Sequence, residues 1–302
     1  MASIYISIIL LCRIAQHICG KNTSKSIKGI SCFIQYCAYS NILSAILGLL
    51  LILLAKNGFN CSLNTLLISC FSGLMLAASS GFSLAAMKSG TIALTSLFGT
   101  GGILVPCIAG IFLFGHPMSW GQWGGIALFF VAAYLLIGSS AKIYSGFSFK
   151  TLILLIGTML TNGFTMLAQQ MFTFYVPDGD VSVYVPDGDV SVFSFLSFGI
   201  VGVLLLILSL IPAKGEAKIE YRLSSKLLLL GAVSAIAVFI INQLATLSTE
   251  LVSPAILFAF INGGSTIIAA IVAAVGFHEK LTIRSILGII IGVIALVIIK
   301  AF

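Results

Sequence analysis

Few polar side chains lie within the apolar runs of this chain, and those few are its candidates for chemistry. Arg13 is the one formal charge well inside such a run. Because a guanidinium is a fixed cation with a planar fork of donors, it can bind a carboxylate or a phosphate of a solute. Amides and hydroxyls on other runs can hydrogen-bond the rest of a solute. The predicted substrate-binding residues are Arg13, Asn162, Gln169, Asn242, Gln243, Asn262 and Thr266.

Arg13 has two interpretations. In the first, its guanidinium faces a solute inside a helix bundle, beside Gln16 and His17 of the same run. In the second, the first helix begins late and the side chain extends to the membrane interface, since Lys21 is only two turns further along. The sequence leaves both interpretations open.

The amides also have two interpretations. Asn162, Asn242 and Asn262 can bind a solute, or they can join helices to one another with about 0.6 to 2 kcal/mol per hydrogen bond. Asn262 is favoured as a ligand because Gly263 and Gly264 follow it. Such a glycine pair permits a close backbone approach or a local break in a helix, as transporter sites often use.

The residues needed for other kinds of chemistry do not occur in recognisable patterns. The sequence has no HExxH or GxSxG motif and no paired carboxylates within its apolar runs. His116 and His278 lack a third metal ligand. The basic residues are scattered and do not form a nucleic-acid-binding face. We therefore predict that the protein is not an enzyme, holds no metal or cofactor and does not bind nucleic acid.

The composition indicates what surrounds these polar groups. Of 302 residues, 60% are hydrophobic and 8% are charged, against about a quarter charged in soluble domains. So few charges cannot cover a surface in water, whereas lipid accepts apolar side chains on the outside. The chain is predicted to be an all-α integral membrane protein, multi-pass, in the cell (plasma) membrane, with membrane lipid as a partner.

The charged residues mark the ends of the predicted spans. A spanning helix needs about 20 apolar residues, and the charge-free gaps from Lys28 to Lys56 and from Lys56 to Lys88 each hold one. The longer stretch to Lys142 is divided by turn-forming residues around Pro117 and holds two. Further spans are predicted at about 151–173, 193–212, 226–248, 252–276 and 282–300. With the N-terminal run, the total is about ten helices.

A duplicated polar loop separates two of these spans. The nonapeptide YVPDGDVSV occurs at 175–183 and again at 184–192. Its Pro-Asp-Gly segment favours a turn, and the flanking valines favour strands. We predict a small hairpin outside the bilayer.

The two halves of the chain share a pattern. Gly125 aligns with Gly288 and Ala132 with Ala295 at the same offset, and the glycine pair at 101–102 has its counterpart at 263–264. Five helices followed by five similar ones have opposite orientations in the membrane, which is the inverted repeat of secondary transporters. The predicted repeats are residues 1–140 and residues 141–302, the second containing the duplicated loop.

The residues before the last predicted helix, His278-Glu279-Lys280-Leu281-Thr282, are followed by Gly288 within it, and Pro106 lies in the fourth helix. These features resemble the acidic turn, helix glycine and helix-four proline of ten-helix EamA-like members of the drug/metabolite transporter superfamily. The first-half turn departs from that pattern, with His116 where an acid is usual. The resemblance implies two five-helix repeats around a central cavity and implies transport, without naming the cargo.

The predicted function is therefore secondary transport of a small polar metabolite by alternating access. The alternative is a polyspecific exporter of hydrophobic or cationic compounds, which would rely on the 22 Phe and on Met. Orientation is left open, because the positive-inside rule favours termini outside whereas the family resemblance implies termini in the cytoplasm. The oligomeric state is also left open.

Overall fold

The computed structural model describes residues 2–55, 59, 61–89, 92–113, 119–143, 148–175, 187–211, 223–249, 254–279 and 282–301. Over these residues the secondary structure is helical, without strands. Long apolar runs favour helices in lipid, because a helix satisfies every backbone N–H and C=O group within the segment. The predicted all-α class is confirmed.

Eleven α-helices and one π-helical turn occupy the described ranges, and their bounds follow the predicted spans closely. They are α1 Ala2–Ser26, α2 Gly29–Ala55, α3 Leu63–Ser89, α4 Ile92–Gly101, α5 Leu104–Leu113, α6 Trp120–Ile143, α7 Phe149–Tyr175, α8 Asp187–Ser209, α9 Ser225–Thr249, α10 Pro254–Ile271, the π-helical turn Val272–Gly276 and α11 Ile283–Ala301. Because α6 continues to Ile143, the predicted repeat boundary at 140 falls within its last turns.

Eight of these segments are long and apolar enough to cross a bilayer, with α4 and α5 contributing to one of them. Two shorter apolar segments, 261–276 and 283–299, accompany them. Large apolar side chains stand on the outer faces, such as Leu54 at 75% exposure and Ile283 at 79%. Lipid accepts such a surface and water does not. The prediction of a multi-pass integral membrane protein is confirmed, and its assignment to the cell membrane stays a prediction.

The duplicated loop differs from its prediction. Helix α8 begins at Asp187, inside the second copy of the nonapeptide, so the hairpin is wrong for residues 187–192. These residues lead directly into the apolar run that begins at Val190, so the helix of that span extends back into the second copy of the nonapeptide. Residues 176–186 lie outside the described residues.

The glycine pairs of the two halves behave differently. The fourth predicted span breaks at Gly102 and Ile103, between α4 and α5. Helix α10, in contrast, continues through Gly263 and Gly264, so no break occurs there. A Cβ at Gly264 would lie 2.9 Å from Leu10 Cδ2 of α1, so this glycine serves close helix packing.

The principal interfaces join helices of the first half to helices of the second. Helix α2 packs against α8, α3 against α7, α1 against α9, α6 against α11, and α4 against α10. The largest apolar core lies among α4, α6 and α11, where Leu97, Phe129 and Leu296 are almost wholly buried. The helices facing the opposite side of α4 enclose a polar space instead.

Candidate functional site

A cavity of about 210 Å³ lies at the centre of the helix bundle. It is smaller than the roughly 300 to 1,000 Å³ of sites for drug-sized ligands, so it fits a small solute. Helices from both halves line it, namely α1, α2, α3, α4, α7, α8, α9 and α10. The polar lining residues are Arg13, Gln16, His17, Tyr36, Ser40, Asn41, Ser44, Ser79, Ser80, Ser83, Thr95, Ser96, Thr100, Thr158, Asn162, Ser234, Asn262 and Ser265.

One face of α1 supplies Arg13, Gln16, His17 and Gly20 to the cavity. Their spacing of three and four residues puts them on a single helical stripe. Arg13 Nη1 donates to Gln16 Oε1 at 2.8 Å, which orients the guanidinium. Helix α1 already begins at Ala2, so Arg13 lies in its interior. A late start of the first helix, one of the two grounds for the interface interpretation, is therefore not observed, and binding of a solute by Arg13 stays a prediction.

Helix α10 packs beside α1 and contributes Asn262 and Ser265 to the cavity lining. His17 Nε2 lies 3.4 Å from Ser265 Oγ, and Ser96 Oγ of α4 donates to the Ser265 carbonyl at 3.5 Å. Within the described residues, Arg13 Nε and Asn262 Nδ2 have no hydrogen-bond partner. Both are donors, and an unpaired buried donor costs about 1 to 3 kcal/mol. A ligand with acceptor oxygens would relieve that cost.

Asn162 of α7 lines the cavity beside the broken end of α4. Its Nδ2 donates to the Gly99 carbonyl at 2.6 Å. This carbonyl also accepts a 3.2 Å bond from the Gly102 N–H, at the turn that ends α4. Such side-chain donors satisfy backbone groups that are left free by a broken helix in a membrane. Asn162 therefore has a structural role in addition to its place in the lining.

Four predicted site residues lie outside the cavity lining. Gln169 Nε2 donates to Asn242 Oδ1 at 3.2 Å, so these two amides join α7 to α9. Gln243 is buried, next to Asn242 on α9, and does not reach the lining. Thr266 Oγ1 lies 3.2 Å from Thr100 Oγ1 and joins α10 to α4.

Sequence reasoning missed most of the hydroxyl wall. Ser79, Ser80 and Ser83 of α3 line the cavity, as do Ser40 and Ser44 of α2. Serine in a membrane helix often bonds its own backbone, as Ser80 Oγ does with the Leu76 carbonyl at 3.0 Å. Its presence alone therefore indicated little. The available signal was the repetition of serine at helical spacing along one face.

A buried ion pair lies at one end of the cavity. Lys21 Nζ is 3.1 Å from Glu279 Oε1 and donates to the Met87 carbonyl at 2.9 Å. Glu279 Oε2 accepts the Ile92 N–H at 3.2 Å, at the start of α4. The pair thus joins α1, the α3–α4 junction and the turn before α11. The sequence had shown Lys21 and Glu279 only as boundary charges.

The charge of the cavity comes from one side chain. Among the lining residues that the structure describes, Arg13 is the one Lys, Arg, Asp or Glu. The Lys21–Glu279 pair lies about 12 Å further along α1, because Lys21 follows Arg13 by eight residues and each residue of a helix rises about 1.5 Å. The two opposite charges of this pair neutralise each other. The lining is thus polar with a single fixed positive charge, which suits an anionic group on a small solute.

The histidines of the two predicted turns differ, because the structure describes only one of them. His278 adopts a left-handed backbone conformation with φ of 52° in the turn before α11, whereas His116 lies outside the described residues. Within the described ranges no three His, Cys, Asp or Glu side chains come together to hold a metal ion.

Comparison with known proteins gives the fold alone. No family model matches the sequence, and no curated protein matches it either. One solved structure that matches, described only as "Crystal structure of protein", is 10% identical with a TM-score of 0.63. The match covers 98% of this chain and 95% of that one. At this identity, the two chains share a helical architecture over nearly their whole length.

Proposed function

We propose that this protein is a secondary carrier for a small polar metabolite, working by alternating access in the cell membrane. The observation that carries the proposal is the polar central cavity, lined from both halves of a helix bundle whose outer surface suits lipid. Several of the lining hydroxyls are satisfied by backbone carbonyls, as Ser80 and Thr100 are. Arg13 Nε and Asn262 Nδ2 are not, and such buried donors are costly unless a hydrophilic solute or water meets them.

The contacts between α6 and α11 support an inverted repeat. A Cβ at Gly125 would lie 2.7 Å from Ile299 Cγ1 and 3.1 Å from the Ala295 carbonyl. A Cβ at Gly288 would lie 2.9 Å from Leu136 Cγ and 3.3 Å from the Ala132 carbonyl. Gly125 aligns with Gly288 and Ala132 with Ala295 in the sequence repeat. Each contact is therefore the counterpart of the other under exchange of the halves.

A second reciprocal pair lies between α2 and α8. A Cβ at Gly48 would meet the Phe195 backbone, with Cα at 3.1 Å, and one at Gly202 would meet the Ile42 N at 3.0 Å and the Asn41 carbonyl carbon at 3.3 Å. An antiparallel pair of helices related by a two-fold axis has this pattern. Two seams built alike support the proposal of two five-helix units with opposite orientations.

Many of the helix contacts are also retained when the halves are exchanged, although α1 packs against α3 whereas their counterparts α7 and α9 barely touch. The pairs α2–α8 and α6–α11 map onto themselves, and α1–α9 maps onto α7–α3. Together with the residues around Glu279, this supports the proposed membership of the drug/metabolite transporter superfamily. In that arrangement, the two repeats rock about the central cavity and expose it to each side in turn.

The substrate that this cavity favours carries an acceptor group, most simply a carboxylate. Arg13 supplies the positive charge, Asn262 Nδ2 supplies an unpaired donor, and the serines can bond hydroxyl groups. The volume of about 210 Å³ limits the solute to the size of a small metabolite. A cationic substrate would meet Arg13 with no opposing carboxylate among the described lining residues.

The test is a thermal-shift screen of the purified protein in detergent against organic acids, amino acids, amines, nucleotides, sugars and cationic dyes. Ligand at about 100 times its Kd stabilises a protein by about 2.7 kcal/mol. We expect one class of small polar metabolites to raise the Tm of the parent and to exchange across proteoliposome membranes. Arg13→Ala and Asn262→Ala should lose the shift.

Asn242→Ala is the matched control, because it removes an equivalent amide on a neighbouring helix that does not line the cavity. It should keep the ligand-induced shift of the parent. If only dyes and apolar compounds raise the Tm, and the cavity variants respond like the parent, the polyspecific exporter replaces the selective carrier. If no compound shifts the Tm or exchanges across a membrane, the carrier proposal fails.

A further inference from the structure

A second and larger hollow lies on the outer side of the bundle, at the end of the molecule where α1 and α3 end and where α2 and α7 begin. It has a volume of about 730 Å³. Its wall is mainly apolar, and the residues that line it come from α1, α2, α3, α7 and α8, with Ile27 of the α1–α2 turn. We refer to it as the lateral groove.

The lateral groove exists because α2 and α3 barely touch, although they follow each other in the chain. The wall that α3 contributes carries small residues at Ala77, Ala78, Gly81 and Ala85. A Cβ at Gly81 would lie 3.1 Å from Phe33 Cζ, so the aromatic ring of α2 spans part of the gap. Small side chains on one helix and a ring on the other leave a slot open to the bilayer.

Two lysines stand at the same end of the lateral groove. Lys88 closes α3, and its Nζ donates to the Ile27 carbonyl at 3.2 Å. Lys150 lies in the first turn of α7 and is exposed. Both line the groove, so its mouth is basic while its walls are apolar.

We propose that the lateral groove binds one anionic phospholipid, with its phosphate at Lys88 and Lys150 and an acyl chain along the apolar wall. Basic pockets between membrane helices bind anionic headgroups, and each lysine near the surface contributes to that attraction. Lys25 and Lys28 belong to the same end of the molecule. The positive-inside rule assigns such an end to the cytoplasmic leaflet, which is the leaflet rich in anionic lipid.

The walls of the groove favour a lipid over a free phosphate compound. A soluble glycerol phosphate would contact the two lysines and leave the apolar surface around Phe33 and Phe82 uncovered. An acyl chain covers that surface. Cys37 and Leu84 line both the lateral groove and the central cavity, so the bound chain packs against the wall of the proposed transport site.

The test uses the full chain purified in a neutral detergent. Phosphatidylglycerol and phosphatidylcholine with identical acyl chains are added separately, and so is glycerol 3-phosphate. We expect phosphatidylglycerol to raise the Tm by about 2 °C or more above phosphatidylcholine, and native mass spectrometry to show one retained phosphatidylglycerol. Glycerol 3-phosphate should leave the Tm unchanged.

Lys150→Gln should lower the affinity for phosphatidylglycerol about fivefold, the effect of removing one lysine charge near a membrane surface. Adding Lys88→Gln should remove the preference over phosphatidylcholine. Lys226→Gln is the matched control, since Lys226 is exposed at the start of α9 and does not line the groove. It should respond like the parent.

Ala78→Leu fills the groove and leaves both lysines in place, so it should abolish the retained lipid even if Lys88→Gln impairs folding through the lost Ile27 bond. Equal shifts with the two lipids would overturn the proposal, as would a retained preference in the double lysine variant. An equal shift with glycerol 3-phosphate would assign the lysines to a soluble anion. These readouts need no transport substrate, so they are independent of the proposed carrier function.

Discussion

Along the seam between α6 and α11, Gly125, Gly288 and Gly292 bring two backbones together with apolar side chains filling the space between them. Around the central cavity, the small residues include serines such as Ser40 and Ser83, which leave room and keep it polar. In both regions small side chains set the distance between helices. Where the small side chains carry hydroxyl groups, the helices enclose a polar cavity. Where they do not, the helices pack closely against each other.

The difference separates a closely packed region from a region that encloses unfilled polar space. Reciprocal glycine contacts give α6 and α11 a close fit, and close fits resist volume change. The cavity helices instead hold unpaired donors at Arg13 and Asn262. The Lys21–Glu279 pair connects the two regions, because it joins α1 to the turn before α11. Changes at each place test this division.

The largest effect is expected at the connecting ion pair. Lys21→Met leaves the Glu279 carboxylate buried without its partner, which costs about 3 to 5 kcal/mol of unfolding free energy. The double variant Lys21→Met with Glu279→Met should recover most of this loss, as a double-mutant cycle in thermal unfolding would show. Lys226→Met, at an exposed lysine, should cost little. A single-variant loss no greater than that of the control would contradict the assignment.

The next effect concerns ligand binding and not stability. Arg13→Gln should lose about 1.5 to 3 kcal/mol of binding free energy for an anionic substrate, the usual value of a hydrogen bond to a charged group. Arg13→Lys keeps the charge but not the planar fork, so its affinity should be intermediate. Isothermal titration with the metabolite class found in the screen measures both. Equal affinities in all three proteins would remove Arg13 from the site.

The seam is tested by adding one methyl group at neighbouring positions. Gly125→Ala should lower the unfolding free energy by about 1 to 3 kcal/mol, because its Cβ meets Ile299. Gly124→Ala is the control, since no atom lies within 4 Å of its Cβ position, and it should be neutral or gain up to about 1 kcal/mol of helix propensity. If Gly288→Ala changes the unfolding free energy no more than Gly124→Ala does, the two reciprocal glycine contacts do not contribute equally to stability.

The smallest effect is expected where an amide only joins helices. Asn242→Leu removes the 3.2 Å bond from Gln169 and should lower the unfolding free energy by about 0.6 to 2 kcal/mol. The ligand-induced Tm shift should be unchanged. Asn262→Leu, in the cavity lining, should show the opposite, with a lost shift and a small change in stability. Loss of the shift in Asn242→Leu would extend the site beyond the described cavity.

Three of the seven predicted substrate-binding residues line the central cavity, and their binding of a substrate stays a prediction. Arg13, Asn162 and Asn262 line the cavity. A polar group in a long apolar run usually faces the bundle interior, because its exposure to lipid is costly. Gln169 and Asn242 also lie in the bundle interior, but they hydrogen-bond to each other outside the cavity lining. The sequence does not distinguish these outcomes, because both place the amide inside the bundle and only the facing helix decides whether a side chain is there to bond it.

The sequence by itself determined that this chain is a multi-pass helical membrane protein and determined the approximate bounds of its spans. The free energy of transferring a segment into lipid is the sum of contributions from its own side chains, so about 20 consecutive residues are enough to predict a span. Only the tertiary structure decided which polar side chains share the cavity, that Lys21 pairs with Glu279 and that the second copy of the nonapeptide starts a helix. Those outcomes depend on the rotation of each helix and on partners far along the chain. The residues of a single segment therefore do not predict them.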